Sequence, residues 1–298
     1  MDTLVDLSRK LSGAKDIKSV VRAMKAMAAS NIHQYAVAVS SLDNYYQTVA
    51  LALAAYFIQE KISGVYEVKQ APKKDEISIT VIIFGSDQGL VGRFNNLIAD
   101  FAAKSLHGMP GKKETWVIGE RVEVLLIDNG LTAEKTFAVP GSIEAVAQLI
   151  GQILIEIEKI LEKDPNQVFY IFHNKPNAVA GYEQTIQRLL PLDEKWENEF
   201  SAIQWPSKNI PQIVGPLKPA LAAFISEYLF VSIYKACVES LSSENASRLE
   251  AMQRADKNIG TMLDNLGRKF HHLRQTSIDE ELADVTSGFE ALKVKPKN

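Results

Sequence analysis

Along the first sixty positions an apolar stripe steps alternately by four and three residues: Ile17, Val21, Met24, Ala28, Asn31, Tyr35, Ala38, Leu42, Tyr45, Val49, Ala52 and Tyr56. A repeat of 3.5 keeps one side of an α-helix turned toward a partner. The far end carries the same signature at Leu249, Met252, Asp256, Ile259, Leu263, Leu266, Phe270 and Leu273, preceded by the apolar run LAAFISEYLFVSIYKACV. In between, the pattern shortens. ISITVIIF (77–84), TWVIG (115–119), KTFAV (135–139), QVFYIFH (167–173) and EQTIQRLL (183–190) read as strands. RFNNLIADFAAKSL, RVEVLLIDN and SIEAVAQLIGQILIEIEKILEKD read as helices between the first four of them.

Helix breakers sharpen this division. No proline occurs before Pro72 or between Ala220 and Lys295, whereas ten fall from Pro72 to Pro219. At 1.5 Å per residue the first helix would run roughly 80–90 Å and the last roughly 100 Å, too long for a compact domain. Two such helices pair most simply as an antiparallel coiled coil projecting from the domain between them. The polar Asn31 and Asp256 could fix its register or face the surface. Strands alternating with helices imply right-handed crossovers. The expected fold is therefore α/β: a central Rossmann-like, mostly parallel sheet domain (75–192) flanked by long N-terminal (1–62) and C-terminal (215–290) helices.

Composition excludes several classes. With 298 residues, 46% hydrophobic and 23% charged, the chain can bury a sizeable core. A net charge of −3 gives no general pull toward nucleic acid. A single cysteine, Cys237, rules out an internal disulfide and a multi-cysteine metal site. The opening MDTLVDLSRKLSGAKD has no apolar core of a secretory signal, and no apolar stretch of about 18 residues is expected to cross a membrane.

Candidate chemistry centres on FGSDQGLVGRFN (84–95), a glycine-bearing turn from strand to helix. A phosphate loop needs G-x-x-x-x-G-K-[ST], but Leu90 stands fifth after Gly85 and no Gly-Lys-Ser/Thr follows. Gly85, Gly89 and Gly92 also miss the first spacing of G-x-G-x-x-G. The favoured reading is a structural turn in which Gly85, Gly89 and Gly92 allow the bend and Ser86 or Asp87 caps backbone N–H groups. His271 and His272 are adjacent, about 100° apart on a helix, and so are unsuited to share a metal. Asp279, Glu280, Glu281 and Asp284 read as a solvated face, and Cys237 as a small buried hydrophobe. No catalytic residue, cofactor or metal site is expected.

IKSVVRAMKAMAASNI (17–32), GSDQGLVGRFN (85–95), SENASRLEAMQRADKNIGTML (243–263) and RQTSIDEELADVTSGFEAL (274–292) together resemble the gamma subunit of F-type ATP synthases. The four matches lie in order across both termini and the centre; residues from about 60 to 215 otherwise match poorly. Ser19, Arg22, Gln88, Val91, Asp279 and Thr286 depart from the usual residues, which points to a divergent branch, with a bacterial or archaeal enzyme and a sodium-moving variant as candidates.

The resemblance implies a rotor shaft that performs no chemistry, turning inside three alpha and three beta subunits, with the globular part on a membrane ring of c subunits beside an epsilon-type subunit. It implies a peripheral place on the cytoplasmic face of the membrane, without insertion into it. It places Met24 beside an acidic lever of beta, with Arg248 on the opposing helix at that level, and sets Gln275 and Asp279 against a loop of beta. Independently, Arg9, Lys10, Lys15, Lys18, Arg22 and Lys25 face a single acid, Asp16, in residues 9–25. That collar suits acidic partner segments or is a solvated face. A coiled-coil scaffold for another complex and a nucleotide-dependent enzyme remain alternatives.

Overall fold

The computed structural model describes residues 3–63, 78–177, 181–192, 198, 200–209 and 211–293. Among the described residues the main elements are α1 (Leu4–Ser63), β1 (Ser78–Phe84), α2 (Phe94–His107), β2 (Lys112–Ile118), α3 (Glu120–Asp128), β3 (Ala133–Phe137), α4 (Ile143–Leu161), β4 (Val168–Asn177), β5 (Gly181–Leu190) and α5 (Leu217–Lys293). The chain divides into two compact units, a terminal one of residues 1–27 and 249–298 and a central one of residues 28–248. Both long helices contribute to both units.

The central unit is built on a five-stranded sheet ordered β3-β2-β1-β4-β5. β1 pairs in parallel with β2 and β4, and β2 with β3, while β5 returns antiparallel beside β4. β1 reads as an unbroken apolar run because helices cover both faces of the sheet. Ile79, Val81 and Ile83 point to one face and pack with Ile98, Ala102 and Leu106 of α2 and Val122 and Leu126 of α3. Ile82, Phe84, Trp116 and Phe169 point to the other, against α4, residues 35–57 of α1 and residues 228–241 of α5. Helix α4 turns Val146, Leu149, Ile150, Ile153 and Ile157 inward at helical spacing. In this unit α1 and α5 run antiparallel: Asn31 donates to Asn245 (3.3 Å), Lys235 to Asp43 (2.9 Å) and Tyr45 to Glu227 (2.6 Å).

In the terminal unit the same sense of pairing holds. Lys25 Nζ reaches Asp256 Oδ2 at 3.3 Å, and near the start of α1 Leu4, Val5, Ser8, Arg9 and Ser12 share a groove of about 500 Å³ with Phe270. The residues expected on the C-terminal stripe, Leu249 to Leu273, are all buried or half-buried.

Two details of the sequence reading change. Buried positions of α1 recur at intervals of seven at Leu7, Ala14, Val21, Ala28 and Tyr35, with Leu42 half-buried and Val49 and Tyr56 buried beyond it, so Ile17 (58% exposed) and Tyr45 (43%) lie outside the seam. Helix α5 also holds an 18-residue window long and apolar enough, by composition alone, to cross a membrane, contrary to expectation. Part of that apolarity has a partner within the protein: Tyr228, Leu229, Val231 and Ile233 belong to the central core.

Candidate functional site

The glycine-bearing loop after β1 is tied into its own domain. A Cβ on Gly85 would lie 2.3 Å from Val122 Cγ1, so only glycine lets α3 pack so closely. Asn95 Oδ1 accepts the Ser86 N–H at 3.0 Å, and its amide donates to Ser86 Oγ at 2.8 Å. The Asp87 carboxylate accepts the backbone N–H groups of Glu120 (3.0 Å) and Val139 (2.8 Å). Asp87 thus caps α3 and ties down the β3–α4 connection, whereas α2 starts without a side-chain cap. Gly92 takes φ = 57°, Gly89 has open space around it, and Leu90 is held at φ = 64° while 63% exposed.

In open parallel sheets a ligand usually sits past the carboxyl ends of two strands whose crossovers leave in opposite directions. Here those strands are β1 and β4, and helix α5 reaches that place. Ser243 Oγ donates to Asn174 O at 2.9 Å, Ser247 Oγ to Val91 O at 2.6 Å, and Glu239 Oε2 lies 2.8 Å from His173 Nε2. All five side chains of Glu239, Ser243, Ser247, His173 and Asn174 are buried. The chain's own helix supplies the polar contacts there. Among the described residues no group of His, Cys, Asp and Glu is arranged to hold a metal ion.

The residues proposed to meet partners fall into three environments. Met24 is half-buried on α1, and Arg22 Nε (3.5 Å) and Lys25 Nζ (3.3 Å) converge on Asp256. Desolvation draws the Asp256 pKa upward, but the Lys25 hydrogen bond and the charges of Lys25, Arg22 and Lys18 outweigh it and hold the carboxyl below its usual range. Gln275 and Asp279 are exposed on α5. Arg248 differs from expectation: its guanidinium is only 12% exposed and is gripped by Glu244 at 2.6 Å. Burial pushes the Glu244 carboxyl up, Arg248 pulls it down, and nearby Asp87 adds to the rise.

Sequence reasoning missed Asn95, His173 and Glu239 altogether. Their signal was weak, since each is a polar residue inside an otherwise apolar element.

A family model described as ATP synthase matches residues 3–292, almost the whole described length. The chain belongs to the ATP synthase family. Among the relatives it resembles are the ATP synthase gamma chains of Sulfurihydrogenibium sp. (strain YO3AOP1), 25% identical with 97% of this chain and 98% of the relative covered, and of Desulforapulum autotrophicum, 28% identical with 98% and 100% covered. Solved structures with a similar fold include the rotor of the Euglena gracilis mitochondrial ATP synthase, at 17% identity and TM-score 0.62 over 92% of this chain and 98% of that one. The central stalk and c-ring structure from Tetrahymena thermophila matches at 20% identity and TM-score 0.56, over 79% and 99%. Within the ATP synthase family the chain's role is that of the gamma subunit, the central rotor shaft.

Proposed function

We propose that this subunit carries torque between an ion-driven c ring and the catalytic head of the synthase without catalysing any step itself. The observation that carries the reading is the antiparallel pairing of two long helices within each unit, α1 without proline and α5 with none after Pro219 in its first turn, together with a seam along α1. An asymmetric shaft inside a threefold ring contacts each beta subunit differently at any instant, so turning it shifts which conformation each site favours. The functional divisions we assign are the two helical arms, 1–62 and 215–290, and the α/β body, 75–192.

Met24, Gln275 and Asp279 are assigned to face the alpha and beta subunits, three of each, together with the exposed parts of Arg22 and Lys25. Arg248 supports this contact from within, through Glu244. The α/β body is assigned to the epsilon-type subunit and the c ring, on the cytoplasmic face of the membrane. The similar structures, which include a central stalk with c ring and an OSCP/F1/c-ring assembly, support these partners.

The test is co-purification with the alpha and beta subunits, followed by ATP hydrolysis with and without this chain. One copy per hexamer with stimulated turnover is expected. Stable capture with unchanged turnover would favour a scaffold, and turnover by the isolated chain an enzyme. Met24→Lys is expected to spare hydrolysis and reduce ion pumping, because the added charge binds the acidic lever unequally during rotation; pumping at the wild-type level removes Met24 from the contact.

A further inference from the structure

We infer that Glu239, Ser243 and Ser247 form a torque joint, the place where helix α5 is keyed to the α/β body so that neither can turn without the other. The inference rests on the rotor-shaft role. Residues four apart on a helix advance by about 40° around it, so these three line one stripe. Each side chain on that stripe meets a different group of the body: His173 Nε2 at 2.8 Å, the Asn174 carbonyl at 2.9 Å and the Val91 carbonyl at 2.6 Å. Two of the anchors sit in β4 just past its last pair with β1, Ile83 with Phe172, and the third in the loop after β1. A different face of α5 is tied to α1, where Asn31 Nδ2 donates to Asn245 Oδ1 at 3.3 Å.

The surroundings make directed bonds necessary for this task. Just before the stripe, α5 packs through Val231, Ile233, Ala236, Val238 and Leu241 into an apolar core. Apolar contact is non-directional and resists removal of the helix far better than its rotation about its own axis. Hydrogen bonds weaken steeply when bent, so buried bonds at fixed angles resist that rotation. Buried polar residues in a run such as ESLSSENAS also have a cost that packing alone does not demand. A single face bonded to two elements of the body resolves both facts.

The test uses the whole complex in membrane vesicles. ATP hydrolysis and the build-up of membrane potential are followed together with a potential-sensitive dye, which responds to whichever cation moves. The Ser243→Ala, Ser247→Ala double variant is expected to keep hydrolysis and to lower the potential formed per ATP, because two of the directed bonds that resist rotation of α5 are lost. Glu239→Leu is expected to do the same, whereas Glu239→Gln, which can still bond His173, is expected to restore the wild-type ratio. Should the double variant fail to assemble, Ser247→Ala alone gives the same reading through its single loop carbonyl. An unchanged ratio in assembled variants of lowered thermal stability would overturn the joint and leave these bonds a purely structural role. Failure of the wild-type chain itself to couple hydrolysis to potential would instead count against the rotor role.

Discussion

One helix, α5, lives in two environments. From Tyr228 to Asn245 its residues in the central unit are buried or half-buried on every side, including Ser232, Ser240, Ser242, Ser243 and Glu244. From Ile278 to Glu290 in the terminal unit every residue is exposed, including Ile278, Leu282, Val285 and Phe289, which repeat at spacings of four, three and four. The first stretch is fixed by packing on all sides; the second carries its apolar stripe exposed. The difference teaches that polarity along this helix does not report exposure. The buried end is polar where it is anchored, and the exposed end carries apolar residues at helical spacing.

The strongest way to test this contrast is to disturb the anchored part. Phe169→Ala, at a fully buried core position, should cost about 3–5 kcal/mol of stability, read by chemical denaturation. Next comes the loop that frames the β1–β4 end. Gly119 sits at φ = 108°, and a Cβ there would lie 2.7 Å from Ser86 N. Gly119→Ala should therefore cost about 2–4 kcal/mol, combining backbone strain with overpacking. A cost as small as that of an ordinary surface change would remove the close approach from the account.

The pH dependence separates the two units by sign. Asp256 has a lowered folded pKa, so its contribution is present above the ordinary carboxylate value and is lost as pH falls through the lowered one. Glu244 has a raised folded pKa, so its ionised form weighs against folding at neutral pH, and that penalty is relieved as pH falls through the raised value. Melts of wild type and Asp256→Asn should differ at pH 7 and converge in strong acid; a constant gap would contradict the assignment. At the sheet edge, Glu156 is drawn down to about 2 by hydrogen bonds from Lys135 and Lys159, and its contribution should fade as pH drops from the ordinary carboxylate range toward that value. Comparison with Glu156→Gln measures it.

The smallest effect belongs to the exposed stripe. Leu282, 60% exposed, can become alanine with a change within about 0.5 kcal/mol in the isolated chain, while capture by the alpha and beta ring should weaken.

Much of the fold was legible in the sequence, and for stated reasons. All five strands and the three helices between them appear where alternating and helical periods placed them, because each has one strongly apolar face or run. The phase of the N-terminal seam was not legible at its edges. Ile17 and Tyr45 are apolar or aromatic yet exposed, and the seven-residue spacing from Leu7 shows only once burial is known. The anchoring of α5 was not legible: nothing in ESLSSENAS says which of its polar groups are buried, and partners distant in sequence, His173, Asn174 and Val91, satisfy three of them. The resemblance set Arg248 at the partner level opposite Met24, and it could not show that Glu244, one turn earlier, grips its guanidinium. The loop at Gly85 was legible as a turn, but not that Asp87 would cap the neighbouring helix.

The seven-residue recurrence along α1, unbroken from Leu7 to Tyr35, has a mechanical side. A straight helix falls behind such a repeat by about 20° in every heptad, so a seam that keeps to sevens winds left-handedly around its partner. A left-handed rope tightens when twisted one way and opens when twisted the other. Wherever α1 and α5 wind on this repeat they will resist twist unequally in the two directions, storing elastic strain more stiffly in one sense of rotation than in its reverse.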